Sequence, residues 1–277
     1  MSTRKHNHAT AWRDRLLPTA TAHQARLQIY QPTWAPRNIE RTIETPYGSG
    51  TIKGRLGMQH ALLMEALQYC ALLTRPLDNG GLAILIDPHD LRKEMAGREG
   101  SRYGWETIMA LTGDLRSSVI RGTYSGWPIM DGILDRLVPS DAYKRLHPVT
   151  GEQRPMYLAE ITPTYRAWLE CDPLPLHYQP SPLARLHHAI SAATARWILT
   201  QRDEPRGGWK LDTVISAVGD VPTRKRRWQL WDDRADLETA GVLIDDKRRI
   251  HLPPRSAHDR GCSVYDRPSR RFLGDSI

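Results

Sequence analysis

The stretch with the densest chemistry is Thr223-Arg224-Lys225-Arg226-Arg227-Trp228-Gln229, four consecutive cations between a hydroxyl that can cap a helix and an amide that can pair with a base edge. Positive charge in the first turn of a helix opposes the macrodipole and costs from a few tenths to about 1 kcal/mol per charge. Four such charges are a poor choice for stability alone. They are a good choice where the turn enters a major groove, because Arg and Lys pair with guanine and Gln with adenine. The plain alternative is a solvated basic face. The acidic segment Asp232-Asp233-Arg234-Ala235-Asp236 follows, so one helix from Thr223 to Ala240 is expected to carry a basic tip and an acidic tail. Lys247, Arg248 and Arg249 form the tip of an expected hairpin, where they would touch flanking phosphates. Arg98, Arg102 and Tyr103, with Arg116, give the matching region of the first half a thinner basic signature. Those residues could read a second groove or lie on a partner subunit.

Other groupings carry less. Asp87-Pro88-His89-Asp90 has metal-capable side chains but sits where a helix wants a cap and a proline in its first turn, so capping is the expected role. His187 and His188, adjacent on an expected helix, should face different sides, which argues against a shared metal. His6 and His8 lie on an N-terminal arm. No phosphate loop, dinucleotide fingerprint, nucleophile elbow or H-E-x-x-H motif is present. Cys70, Cys171 and Cys262 lie far apart and suit packing better than a zinc site or a disulfide framework. The expectation is therefore no catalytic residue, no metal and no cofactor.

The elements that must hold these residues follow from composition and period. At 277 residues the chain allows two domains, and 40% hydrophobic with 25% charged residues is a globular balance, not a disordered one. With 39 Lys and Arg against 31 Asp and Glu, the net charge of +8 fits a partner that carries phosphates. No apolar run is long enough to cross a bilayer and Arg4-Lys5 is followed by no apolar signal core, so a cytoplasmic protein without a membrane partner is expected.

Residues 1–37 read as a flexible arm with a short helical piece near Ala22 to Tyr30. From 38 to 138 the order is hairpin (Asn38 to Leu56), helix (Met58 to Leu73), strand (Leu82 to Ile86), helix (Pro88 to Ala96), helix (capped by Ser101, to Leu115, with Trp105, Ile108, Met109 and Leu111 inward), then a ribbon of Ile120 and Trp127 to Leu134. Residues 139–154 read as a linker. From 155 to 252 come a strand (Tyr157 to Ile161), a helix (Thr164 to Cys171), a strong helix (Leu183 to Thr200), Trp209-Lys210-Leu211, a helix capped by Asp212, the helix from Thr223, and the hairpin Val242 to Leu252. Residues 253–277 read as a basic tail. The expected fold class is α+β, two tandem winged-helix (helix-turn-helix) domains with a pseudo-two-fold relation. Trp197, Leu211, Ile215, Leu237, Leu243 and Ile250 should form the second core.

With its elements in this order, the chain resembles plasmid replication initiators of the tandem winged-helix kind, similar to the replication protein C of IncQ-type plasmids and more distantly to TrfA-type initiators. The resemblance spans about residues 38 to 252. It is densest at Ser191-Ala192-Ala193-Thr194-Ala195-Arg196, at Lys210-Leu211-Asp212-Thr213, and at Arg224-Lys225-Arg226-Arg227 with Leu237 and Gly241 downstream. It implies binding to iterons in double-stranded origin DNA, opening of the neighbouring AT-rich DNA, no nucleotide hydrolysis, and dependence on a separate helicase and primase. The base-reading helix would be Thr223 to Gln229. A monomer or weak dimer is expected. Two other readings compete: a winged-helix transcription repressor, and a metal-independent RNA-processing nuclease.

Overall fold

Residues 17–46, 48–96, 103–124, 127–146, 150–171 and 175–252 are described by the computed structural model. The fold is mixed α+β. The first half runs Ala20–Thr21 (β1), Ala22–Arg26 (α1), Ile39–Thr45 (β2), Gly48–Gly54 (β3), Met58–Tyr69 (α2), Leu73–Pro76 (β4), Leu82–Ile86 (β5), Pro88–Met95 (α3), Trp105–Ser117 (α4), Val119–Tyr124 (β6), Trp127–Asp131 (β7), Leu134–Leu146 (β8), Gln153–Ile161 (β9) and Pro163–Cys171 (α5). The second half runs Pro175–Leu176 (β10), Ser181–Ala184 (α6), Ala189–Leu199 (α7), Trp209–Lys210 (β11), Leu211–Ala217 (α8), Arg224–Asp232 (α9), Arg234–Thr239 (α10), Leu243–Ile244 (β12) and Arg249–His251 (β13).

Local chemistry explains most of these elements. β5 is apolar throughout and buried at every residue, as a strand packed on both faces requires. Asp87 ends it and starts α3: its Oδ1 accepts from His89 N at 2.9 Å, with Pro88 in the first turn. Asp87 Oδ2 accepts from Arg145 and Arg154 of the β8–β9 hairpin at 3.0 and 2.7 Å, so one buried carboxylate caps a helix and ties down a ribbon. His60 opens α2 in a similar way. Its Nδ1 accepts from Gly57 N at 3.1 Å and its Nε2 donates to Asp114 of α4 at 3.2 Å. Burial outweighs the Asp114 contact and pushes the His60 pKa down, so the ring is neutral.

The strands form antiparallel sheets of order β2-β3-β6-β7, β4-β5-β9-β8 and β11-β13-β12, plus the short pair β1-β10. One order recurs. In the first half α2, β5, α3 and α4 are followed by the hairpin β8–β9, whose returning strand pairs with β5. In the second half α7, β11, α8 and α9–α10 are followed by β12–β13, whose returning strand pairs with β11. The leading helices α2 and α7 face each other across the middle of the molecule. Glu65 and Arg196 form a bidentate pair there, Nε to Oε1 at 2.6 Å and Nη2 to Oε2 at 2.7 Å. Each lies seven residues after the first residue of its helix, 65 − 58 and 196 − 189, so the pair joins equivalent positions of the two halves.

Several expectations are corrected. The ribbon β6–β7 forms, but it extends the β2–β3 hairpin and does not pair with β5. The hairpin paired with β5 is β8–β9, whose strands occupy much of the stretch 139–154 expected to be a linker. Register shifts between Leu134 and Arg136 and between Pro139 and Lys144 break its period of two, which hides the strand in the sequence.

The stretch 17–31 is no free arm. Leu17, Leu27, Ile29 and Tyr30 are buried, β1 pairs with β10, Gln28 Nε2 donates to Ala217 O at 3.0 Å, and Gln31 N donates to Leu56 O at 2.9 Å. This strap touches both halves. The expected helix over 183–200 is interrupted between α6 and α7, and the expected helix over 223–240 is interrupted at Asp233 (φ −85°, ψ 7°). One side chain links the two breaks: Asp233 accepts from His187 N at 3.2 Å and from His188 N at 2.8 Å. Lys210, not Asp212, is the N-cap of α8. Gly104 is the N-cap of α4, Met109 is exposed, and Ser101 lies outside the described residues. Of the six expected core residues of the second half, Leu211, Ile215, Leu237 and Ile250 are buried, whereas Trp197 and Leu243 are half-buried.

Candidate nucleic-acid interface

Leu230 is the one fully buried residue of α9, so this helix is pinned by a single apolar anchor and offers most of its circumference to solvent. Thr223 caps it, its Oγ1 accepting from Arg226 N at 3.2 Å. The four cations behind the cap do not act alike. Arg226 pairs with Asp220 at 2.7 Å and donates to Gln229 Oε1 at 3.0 Å. Arg227 holds Asp212 of α8 through two bonds of 2.6 and 2.9 Å, and the hydrogen bond from its guanidinium keeps the Asp212 carboxyl below the usual range. Gln229 turns toward His188, 3.4 Å from its Nδ1. Arg224 and Lys225 are exposed, and among the described residues neither has an ion-pair partner.

The hairpin tip reaches the same helix. Asp245 closes the turn, its Oδ1 accepting from Arg249 N at 2.7 Å and its carbonyl from Arg248 N at 2.9 Å. Arg248 takes a left-handed conformation (φ 58°), and its guanidinium lies over the Trp231 ring, 5.6 Å from the centroid. Arg234 lies over the same ring at 4.4 Å. Trp231 is seven residues beyond Arg224, which on an α-helix is about two turns along the same face. Arg224, Trp228 and Trp231 therefore make one stripe, with Trp228 55% exposed and Arg248 beside its far end. Lys247 is exposed at the tip, while Arg249 is half-buried and pairs through its backbone with Lys210. His251 fastens the base of the hairpin between Glu204 (2.6 Å) and Asp245 (3.2 Å).

Of the residues singled out in the sequence, Arg224, Lys225, Lys247 and Arg248 are thus exposed, the first two at the start of α9 and the last two on the hairpin whose Arg248 lies over Trp231. Thr223 serves as a cap, and Arg226, Arg227 and Gln229 turn to the protein's own groups. Arg98 and Arg102 lie outside the described residues, and Tyr103 is buried and offers no contact surface. Helix α4, which matches α9 in the repeated order, exposes Glu106, Thr107, Met109 and Arg116, a surface with little net charge. The sequence reasoning missed Trp228 and Trp231, although their spacing from Arg224 at four and seven residues was the signal. It also misjudged His187 and His188. They lie in the break before α7, not along a helix, and their ring nitrogens approach to 3.4 Å.

Neither a protein-family model nor a curated protein sequence matches the chain. A solved structure does. The crystal structure of domains 2 and 3 of RctB is similar in fold, with a TM-score of 0.54 and 11% identity over 83% of this chain and 95% of that one. At this identity the likeness is one of fold. It shows a shared fold and does not single out the IncQ or TrfA type. Among the described residues no helix is long and apolar enough to cross a membrane.

Proposed function

We propose that the chain is a replication initiator that binds repeated sequences, the iterons, in double-stranded origin DNA and promotes opening of the DNA beside them. In this reading each half is a winged helix, α9 is the recognition helix of the second, and β12–β13 is its wing. The observation that carries the reading is the exposure of four cations, Arg224 and Lys225 in the first turn of α9 and Lys247 and Arg248 on the hairpin tip, whose Arg248 packs over Trp231 of the same helix. A basic helix N-terminus and a basic hairpin packed on the same helix suit a major groove and its flanking phosphates. The fold likeness to RctB, itself a replication initiator, adds support at the level of architecture. The protein would act by binding and not by catalysis, with strand unwinding and priming left to a separate helicase and primase.

The test is a footprint of the purified chain on the replicon's own origin DNA, followed by salt-dependent binding to a protected repeat and to a scrambled duplex. The proposal expects protection of repeated sequences. It also expects an Arg224→Ala/Lys225→Ala variant to lose discrimination, at about 1 to 3 kcal/mol per base-reading contact. A folded variant with unchanged affinity and discrimination would remove α9 from recognition.

A further inference from the structure

We propose that His187, His188, Asp232 and Asp233 form a tetrahedral site for a divalent transition-metal cation of the zinc type. The site lies where the break before α7 meets the break between α9 and α10. One ligand atom from each residue falls within 4.8 Å of all the others. His187 Nδ1 and His188 Nε2 are 3.4 Å apart, and His188 Nε2 is 3.0 Å from Asp232 Oδ2. Ligand atoms about 2.0 to 2.1 Å from a tetrahedral ion lie roughly 3.3 to 3.4 Å from one another, so little movement is needed to accept one.

The surroundings suit a ligand set better than a simple ion pair. His188 Nε2 faces both Asp232 Oδ2 and His187 Nδ1, two groups that can each offer a lone pair to the same point. A cation satisfies both ring nitrogens and the carboxylate together. Asp233 is buried and held by the backbone N–H groups of His187 and His188, and its two oxygens keep further lone pairs for an ion. His187 and Asp232 are exposed, which gives the ion a way in. Two separated pieces of chain would be joined: the break before α7 and the junction of α9 with α10. A bound ion would set the angle at which α9 leaves the body of the second half.

The full chain, stripped with a chelator and exchanged into metal-free buffer, is titrated with Zn²⁺ by calorimetry and with Co²⁺ by visible absorption. One equivalent should bind, with the intense visible bands of tetrahedral cobalt and a rise in Tm on adding Zn²⁺. His187→Ala and Asp232→Asn each alter an exposed side chain and should leave the fold intact by circular dichroism. Each should weaken uptake at least about tenfold and remove the rise in Tm, whereas His251→Ala should bind as the wild type does. No stoichiometric uptake by the wild type, or equal uptake by the His187→Ala chain, would overturn the site. No DNA is present, so failure here leaves the DNA-binding proposal standing, and failure of that proposal leaves this one intact.

Discussion

Removing Glu65 from beneath Arg196 is the sharpest test of how the two halves are held. The two side chains are 3% and 6% exposed, and two bonds of 2.6 and 2.7 Å join them. Burial works against the guanidinium charge, but Glu65 outweighs it and raises the Arg196 pKa. In Glu65→Ala the cation keeps its bond to Ala192 O at 3.2 Å and loses its counter-charge. Leaving one partner of a buried pair uncompensated costs about 3 to 5 kcal/mol. Against a typical total of about 5 to 15 kcal/mol, that is about a fifth of the stability or more. For a chain of this size it corresponds to a fall in Tm of roughly 6 to 20 °C. Replacing both residues by methionine should recover most of the loss, because the desolvation penalty disappears with the charges. Urea unfolding followed by circular dichroism and tryptophan fluorescence measures both variants. A loss below about 1 kcal/mol in Glu65→Ala would refute the reasoning, as would a double methionine variant as unstable as the single one.

Three further outcomes are expected. Asp87→Ala removes a helix cap and abandons Arg145 and Arg154 together, so stability should fall by at least about 2 kcal/mol and amide exchange in β8–β9 should accelerate; unchanged exchange there would mean the ribbon is held by other contacts. Gly208 sits at φ 76° with a Cβ position 2.7 Å from Ile250 O, so Gly208→Ala should cost about 1 to 2 kcal/mol in strain before any clash is counted, and an unaltered Tm would contradict this. For His251, burial pushes the pKa down but the hydrogen bonds and charges of Glu204 and Asp245 outweigh it, so the folded value is raised. Its contribution is therefore complete below the unfolded value of about 6.5 and fades as pH climbs through the raised folded value. The stability gap between wild type and His251→Gln should shrink over that rise in pH, and a gap that widens would reverse the assignment.

What was legible in the sequence was what depends on neighbours along the chain. The caps at Asp87 and Thr223, the apolar run of β5 and the charged hairpin tip are local signals, and each lies where it was read. What failed depends on partners far away. The breaks at His187 and Asp233 are stabilised by each other across more than forty residues, so neither shows in a helical period. The strand Tyr157 to Ile161 was read, but its hairpin with β8 was missed because the bulges spoil the alternation, and the strap was missed because β1 is two residues long and finds its partner only at β10. The basic run was readable as a surface. How it divides between outward cations and those engaged by Asp212 and Asp220 was not, since those carboxylates belong to other elements.

The strap has a consequence for how the chain is made. Ala20 pairs with Leu176, a separation of 176 − 20 = 156 residues. At about 5 to 20 residues per second, ribosomal synthesis takes roughly 8 to 30 s to supply that partner. For that time Leu17, Leu27 and Ile29 have no completed core to enter, because α7 and β10 do not yet exist. The first half can form its own sheets while it waits, but the seam along the strap closes only after β10 has been made. A nascent chain stalled before residue 175 would present this apolar strip to any chaperone at the tunnel mouth, and a chain released with the strap already cleaved would have no means of sealing it.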